Sequence, residues 1–230
     1  MDKILLMLQL QNQLNNSTNG EDWIKGKTKN NKEINWKRCI YMESAEMIDC
    51  FAWKHWKNIQ ADPDWDNLKI EVVDVWHFIM SLAIEFYHQE MLGTIEDIAI
   101  NISSQESFKL IDNNQEIFAS PKEIMAKVED ILRDVLSKDK LNLQNLIDDF
   151  FSLTHMSGLN LTSLYKLYVG KNILNQFRQN NGYKEGEYIK IWEEKEDNVW
   201  MQHILDENPD IKPQHLYKEL EKIYTKVKEK

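Results

Sequence analysis

The alternation of apolar and polar residues along this chain follows a helical period almost everywhere. Ile4, Met7, Leu8, Leu10 and Leu14 place one apolar side on a first helix over residues 2–15. A polar, Asn- and Gly-rich stretch, NNSTNGEDWIKGKTKNNKEIN, predicts a loop. The pattern then predicts a long helix from about Trp36 to Asn58, a turn at ADPDW with Asp64 as N-cap, and a helix from about Trp65 to Glu90. Residues 94–118 are polar and weakly periodic, and predict a helix with a mobile connection. Pro121 opens a helix ending near Lys138, and further helices are expected over Leu143–Met156 and Leu161–Asn180. The tail from Asn198 reads as mixed-charge helix broken at Pro209 and Pro213. The fold class expected is all-α, a helical bundle, with the whole of 1–230 as one domain, a variable helical region over about 94–140 and a mobile loop over 181–198.

Composition agrees with this reading. Only 7 glycines and 4 prolines interrupt the chain, which favours long helices over many short strands. A formal net charge of −10 argues against general nucleic-acid binding, because affinity for a phosphate backbone requires clustered cations. No stretch approaches the ~18 apolar residues of a membrane span, so no membrane partner is expected. Cys39 and Cys50, eleven residues apart on one expected helix, lie about 16 Å apart along its axis and cannot bridge. A reduced, cytoplasmic protein is expected.

Two acidic pairs interrupt the apolar pattern. Glu43 and Glu46 lie in IYMESAEMIDCF, and Glu71 and Asp74 in KIEVVDVWHF. Spaced i, i+3, each pair falls on one helix face. Carboxylates among such apolar neighbours lose hydration and stay ionised only beside a partner charge or a cation. A helical hairpin can bring the two pairs level, and four hard oxygen ligands suit Mg²⁺, which binds one or two carboxylates together with waters and substrate phosphates. A solvated acidic face is the plainer alternative for either pair alone. A second alternative draws on histidine: Asp74-x-x-His77 and Glu85-x-x-His88 match half of a di-iron motif each, but on one helix they lie too far apart to share a centre, which leaves a dinuclear iron site drawing only on His77.

Gln11 and Asn15 continue the stripe begun by Ile4 and Leu8. They mark either an exposed helix end or a reader of a pyrimidine edge, since an amide offers both a donor and an acceptor. Lys171, Asn175 and Arg178 share a second stripe that runs into a loop with Tyr183, Lys184, Tyr188, Lys190 and Trp192. This net basic stretch in an acidic protein is either a solvated face or a phosphate-gripping segment. The chain contains no Walker-type loop, G-x-S-x-G, H-E-x-x-H or Cys-x-x-Cys, so metal-assisted hydrolysis fits the residues better than nucleophilic catalysis.

Taken together, WKRCIYMESAEMIDCFAWKHWKN, EVVDVWHFI and GKNILNQFRQNNGYKEGEYIKIW with the following KEDN resemble the dimeric dUTPase and dCTPase family within the all-α, MazG-like nucleoside triphosphate pyrophosphohydrolases. The resemblance implies a homodimer that cleaves dUTP, and typically dUDP, to dUMP, removing dUTP from the pool and supplying dUMP for thymidylate synthesis. It implies Mg²⁺ held by Glu43, Glu46, Glu71 and Asp74, with Glu46 orienting the attacking water. It further implies phosphate binding by Lys171, Arg178, Tyr183, Lys184 and Lys190, sugar or phosphate contacts from Asn175 and Asn198, and base contacts from Gln11, Asn15 and Phe78. A sibling enzyme acting on dCTP, or a helical interaction protein without catalysis, would keep much of this pattern. One departure stands out: Glu193, Glu194 and Lys195 occupy a turn where the family pattern leads us to expect a small residue.

Overall fold

The computed structural model describes residues 2–58, 60–113, 115–137 and 141–229. Its described residues are almost wholly helical and divide into two compact units, 1–165 and 166–230.

In the first unit, α1 spans Asp2–Asn19 and buries Ile4, Met7 and Leu8 completely. It runs a full turn beyond the predicted end, so Gln11 and Asn15 lie within the helix, buried, and do not mark an exposed terminus. The polar stretch after it also holds more order than its composition implies. A short 3₁₀ helix over Glu21–Lys25 buries Trp23, whose Nε1 donates to Asn16 at 2.8 Å.

Helix α2 spans Trp36–Asp49, capped by the Asn35 side chain, and α3 spans Trp65–Gln89, capped by Asp64 as expected. The end predicted for α2, at Asn58, is nine residues too late. Its true end lies where Asp49 collects Trp53 Nε1 at 2.8 Å and Lys54 Nζ at 2.7 Å and where the Cys50 carbonyl accepts from Asp64 N at 2.9 Å. These bonds fold FAWKHW back, and they place the end of α2 beside the start of α3. The two helices therefore form an antiparallel hairpin.

Helix α3 is the centre of this unit. Its apolar run is buried around much of its circumference, as in a helix enclosed by others. Trp76 stacks on Phe150 with ring centroids 4.8 Å apart, joining α3 to α7 over Leu143–Met156. Two short helices, α4 over Ile95–Ser103 and α5 over Phe108–Ile111, replace the single weak helix expected there. Pro121 opens α6 as predicted, inside a capping box of Ser120 and Glu123. It ends at Leu136, and the predicted end near Lys138 falls outside the described residues.

Helix α8 spans Leu161–Asn180 and carries the chain into the second unit. There α9, Asp197–Glu207, approaches α8 so closely that a Cβ on Gly170 would stand 2.8 Å from Leu205. Pro213 opens α10, Pro213–Lys228. Phe177, Tyr188, Trp192 and Tyr224 form an aromatic core, with Tyr188 stacked on Tyr224 at 5.0 Å. Within the predicted loop lies a small hairpin, β1 (Ile191–Trp192) paired antiparallel with β2 (Lys195–Glu196). Its turn residues, Glu193 and Glu194, have φ of 48° and 69° and are exposed. Both positive-φ positions of a two-residue hairpin turn are thus filled by glutamate where Asn-Gly is favoured. Both residues are exposed, so the departure at this turn does not bury the added negative charge.

Candidate metal centre and polar network

The buried stripe of α2 is Trp36, Ile40, Ser44 and Met47. Glu43, one turn from Ile40 and one from Met47, is carried at the edge of that stripe, and Glu46 follows one turn on. From α3, Glu71 enters the same space. Each of these three carboxylates has an oxygen within 4.8 Å of the other two. Glu71 is 6% exposed, Glu43 half-buried and Glu46 exposed. Asp74, half-buried one turn further along α3, stands outside this converging trio.

Three ionised carboxylates so close repel one another unless a cation lies among them. An all-oxygen donor set on two helices fits a hard divalent ion, and three carboxylates leave coordination positions for water and phosphate. The residues present therefore fit Mg²⁺ and offer no imidazole or thiolate. His77 does not join them. Among the described residues the ligand atoms that converge are those of Glu43, Glu46 and Glu71, without a histidine, while His77 Nδ1 lies 2.6 Å from Gln11 Oε1, so the histidine-based alternative does not assemble there. Burial pushes the Cys50 thiol up to about 11, which leaves it inert as a nucleophile.

Gln11 and Asn15 belong to a buried polar network. Gln11 Nε2 donates to Asn15 Oδ1 and to Ser81 Oγ, both at 3.1 Å. Asn15 Nδ2 donates to Ser81 Oγ at 2.9 Å, and Ser81 Oγ donates to the His77 carbonyl at 2.8 Å. Sequence reasoning found the two amides and missed Ser81 and the bond to His77. The available signal was one hydroxyl, four residues after His77, in the otherwise apolar run FIMSLAI. Phe78 is half-buried and stacks on Trp36, their centroids 6.1 Å apart.

In the second unit, Lys171, 2% exposed, donates to Asn198 Oδ1 at 3.0 Å. Arg178 binds Asp197 through two bonds and also reaches Asn175 and Asn198, at 3.3 and 3.2 Å. Its guanidinium lies 5.9 Å from the Tyr183 ring centroid. Tyr188 donates to Asp197 at 2.8 Å, and burial with the adjacent Asp197 carboxylate pushes its hydroxyl pKa up, so it remains a neutral donor. Tyr183, Lys184 and Lys190 are exposed, and Lys190 pairs with Glu196 at 3.0 Å. The predicted basic stripe is thus gathered together, with Asp197 as the counter-charge that stripe counting missed.

Among the described residues, no helix is long and apolar enough to cross a membrane. A family model described as dUTPase matches residues 3–183. No curated protein matches the chain.

Proposed function

The chain belongs to the dUTPase family and is a dUTP diphosphatase, and from that premise we propose that it converts dUTP, and dUDP, to dUMP with Mg²⁺ held by Glu43, Glu46 and Glu71. The observation that carries this reading is the convergence of those three carboxylates from α2 and α3. Asp74 is the fourth acid of the family pattern and is assigned to the same centre.

When bound, Mg²⁺ polarises phosphate oxygens and lowers the pKa of a bound water. Glu46 is the exposed member of the trio, open to the solvent from which the attacking water comes, and it takes that water's proton as general base. Glu71 and Glu43, more enclosed, hold the cation. Phosphate binding falls to Tyr183, Lys184 and Lys190, which stand exposed, and to Lys171 and Arg178, buried cations gathered around Asp197 and Asn198. Asn175 and Asn198 contact sugar or phosphate. Gln11 and Asn15 read the base, and Phe78 flanks it. The family pattern carries a homodimer and a cytoplasmic setting with it.

The test is monophosphate and pyrophosphate release from dUTP, dUDP, dCTP, dTTP and UTP, with and without Mg²⁺. Magnesium-dependent formation of dUMP from dUTP and dUDP, with little action on dTTP or UTP, is expected. Turnover that ignores Mg²⁺ removes the metal assignment, and preference for dCTP moves the base assignment.

A further inference from the structure

An isolated amide side chain cannot tell uracil from cytosine. At the edge carrying N3 and the C4 substituent, uracil presents a donor and an acceptor, cytosine an acceptor and a donor, and a half-turn of the amide converts a match for one into a match for the other. Discrimination needs something that forbids that half-turn.

The buried network of the first unit supplies it. Ser81 Oγ lies 2.8 Å from the backbone carbonyl of His77, a group that only accepts. The single hydroxyl proton is therefore committed, and toward every other neighbour Ser81 Oγ can only accept. Asn15 at 2.9 Å and Gln11 at 3.1 Å must both turn their NH₂ ends to it. The second N–H of Gln11 then meets Asn15 Oδ1 at 3.1 Å, and its carbonyl meets His77 Nδ1 at 2.6 Å, which must carry a proton. Each direction follows from the one before, starting at a helix carbonyl that cannot reverse.

Reversing Asn15 would set its carbonyl against an oxygen with no proton to give and its NH₂ against the N–H of Gln11. Two bonds would become two like-against-like contacts. Ser81 is 0% exposed, Gln11 and His77 3% and Asn15 4%, so bulk water cannot make good the loss. Gln11 Nε2 and Ser81 Oγ, themselves 3.1 Å apart, take the side of the Asn15 amide on which oxygen and nitrogen point together. The N–H and the carbonyl lone pair that remain diverge, so one of them at a time can meet the base, as a fixed donor to the C4 oxygen of uracil or a fixed acceptor for its N3–H, and in either case cytosine offers the wrong partner.

We propose that Ser81 is a positioning residue that locks the polarity of the Asn15 amide and thereby sets the discrimination of uracil from cytosine. The proposal rests on the assignment of Gln11 and Asn15 as base contacts. Gln11, with both N–H groups and one carbonyl lone pair engaged inside the network, acts mainly as the wedge that holds Asn15.

The test compares kcat/KM for dUTP and dCTP in the wild-type protein, Ser81→Ala, Ser81→Thr and Asn15→Ala. Loss of the hydroxyl in Ser81→Ala should lower the dUTP-to-dCTP ratio by on the order of tenfold or more, chiefly by raising activity on dCTP, while Ser81→Thr keeps the ratio. A merely structural Ser81 would lower both activities together and leave the ratio unchanged, which would overturn the proposal. If Asn15→Ala abolishes the preference and Ser81→Ala retains it, the base contact stands and the lock does not. If Asn15→Ala retains the preference, the base assignment fails and takes the lock with it. Should Ser81→Ala not fold, ¹⁵N imidazole shifts of His77 in the wild-type protein decide: a protonated Nδ1 is required, and an unprotonated Nδ1 contradicts the chain of donors.

Discussion

Arg178 holds Asp197 with two prongs of its guanidinium, Nε to Oδ2 at 2.8 Å and Nη2 to Oδ1 at 2.7 Å, and Asp197 is fully buried. The pair ties the end of α8 to the first turn of α9 and fixes where the hairpin leads. It also tempers the basic stretch, since the charge of Arg178 is already matched.

Removing only the acid from such a pair leaves a guanidinium enclosed without its counter-charge. Asp197→Ala should therefore destabilise the protein by about 3–5 kcal/mol, read as a shift in urea denaturation. A loss below about 1 kcal/mol would mean that Arg178 finds water or another acceptor as readily as Asp197.

The turn between β1 and β2 carries a smaller and opposite liability. Glu193 and Glu194 both occupy positive φ, a conformation that costs an L-residue roughly 1–2 kcal/mol. The double substitution Glu193→Asn with Glu194→Gly should raise the melting temperature by a few degrees, corresponding to about 1–2 kcal/mol. An unchanged or lower melting temperature would show that the glutamates contribute more in this turn than their backbone costs.

Most of the fold was legible because its signals are local. Asp64 and Pro121 announce the starts of α3 and α6, and the near-continuous apolar run after Glu71 marks α3 as the enclosed helix. The acids were legible as a candidate because two i, i+3 pairs recur in apolar helices that a turn can bring face to face, although either pair alone reads as a solvated face. Hidden from the sequence were arrangements made by distant partners. Helix α2 stops at Asp49 because that carboxylate gathers Trp53 and Lys54, while the residues beyond it keep a pattern compatible with helix. Trp23 sits in a stretch whose composition indicates only loop. Ser81 has no periodic signature, and its importance comes from two amides on α1, 66 and 70 residues away. The converging trio without Asp74 likewise depends on how α2 and α3 meet, which spacing along each helix does not specify.

Glu85 gives the protein a pH dependence near neutrality. Burial pushes its carboxyl from 4.5 up to about 7, against a hydrogen bond from Gln89 that lowers it. Because the folded state holds this proton more tightly than the unfolded chain, the contribution to stability is complete below pH 4.5 and is lost as pH rises through about 7. Glu85→Gln should remove that slope. The variant should match the wild type in acid and exceed it by roughly 1–2 kcal/mol at about pH 8, a figure reduced for the solvent that reaches this half-buried carboxyl. Parallel stability–pH curves for the two proteins would contradict it.

The central claim is that the carboxylates of α2 and α3 form the catalytic metal centre for dUTP hydrolysis. The rate of dUMP formation from dUTP, titrated with Mg²⁺ for the wild-type protein and for Glu46→Gln, tests it most directly. Wild-type turnover should rise from near zero and saturate with Mg²⁺, and the variant should still bind dUTP while turning over about 10²–10⁴-fold more slowly. Near-normal, magnesium-dependent turnover by Glu46→Gln would contradict the role given to that carboxylate.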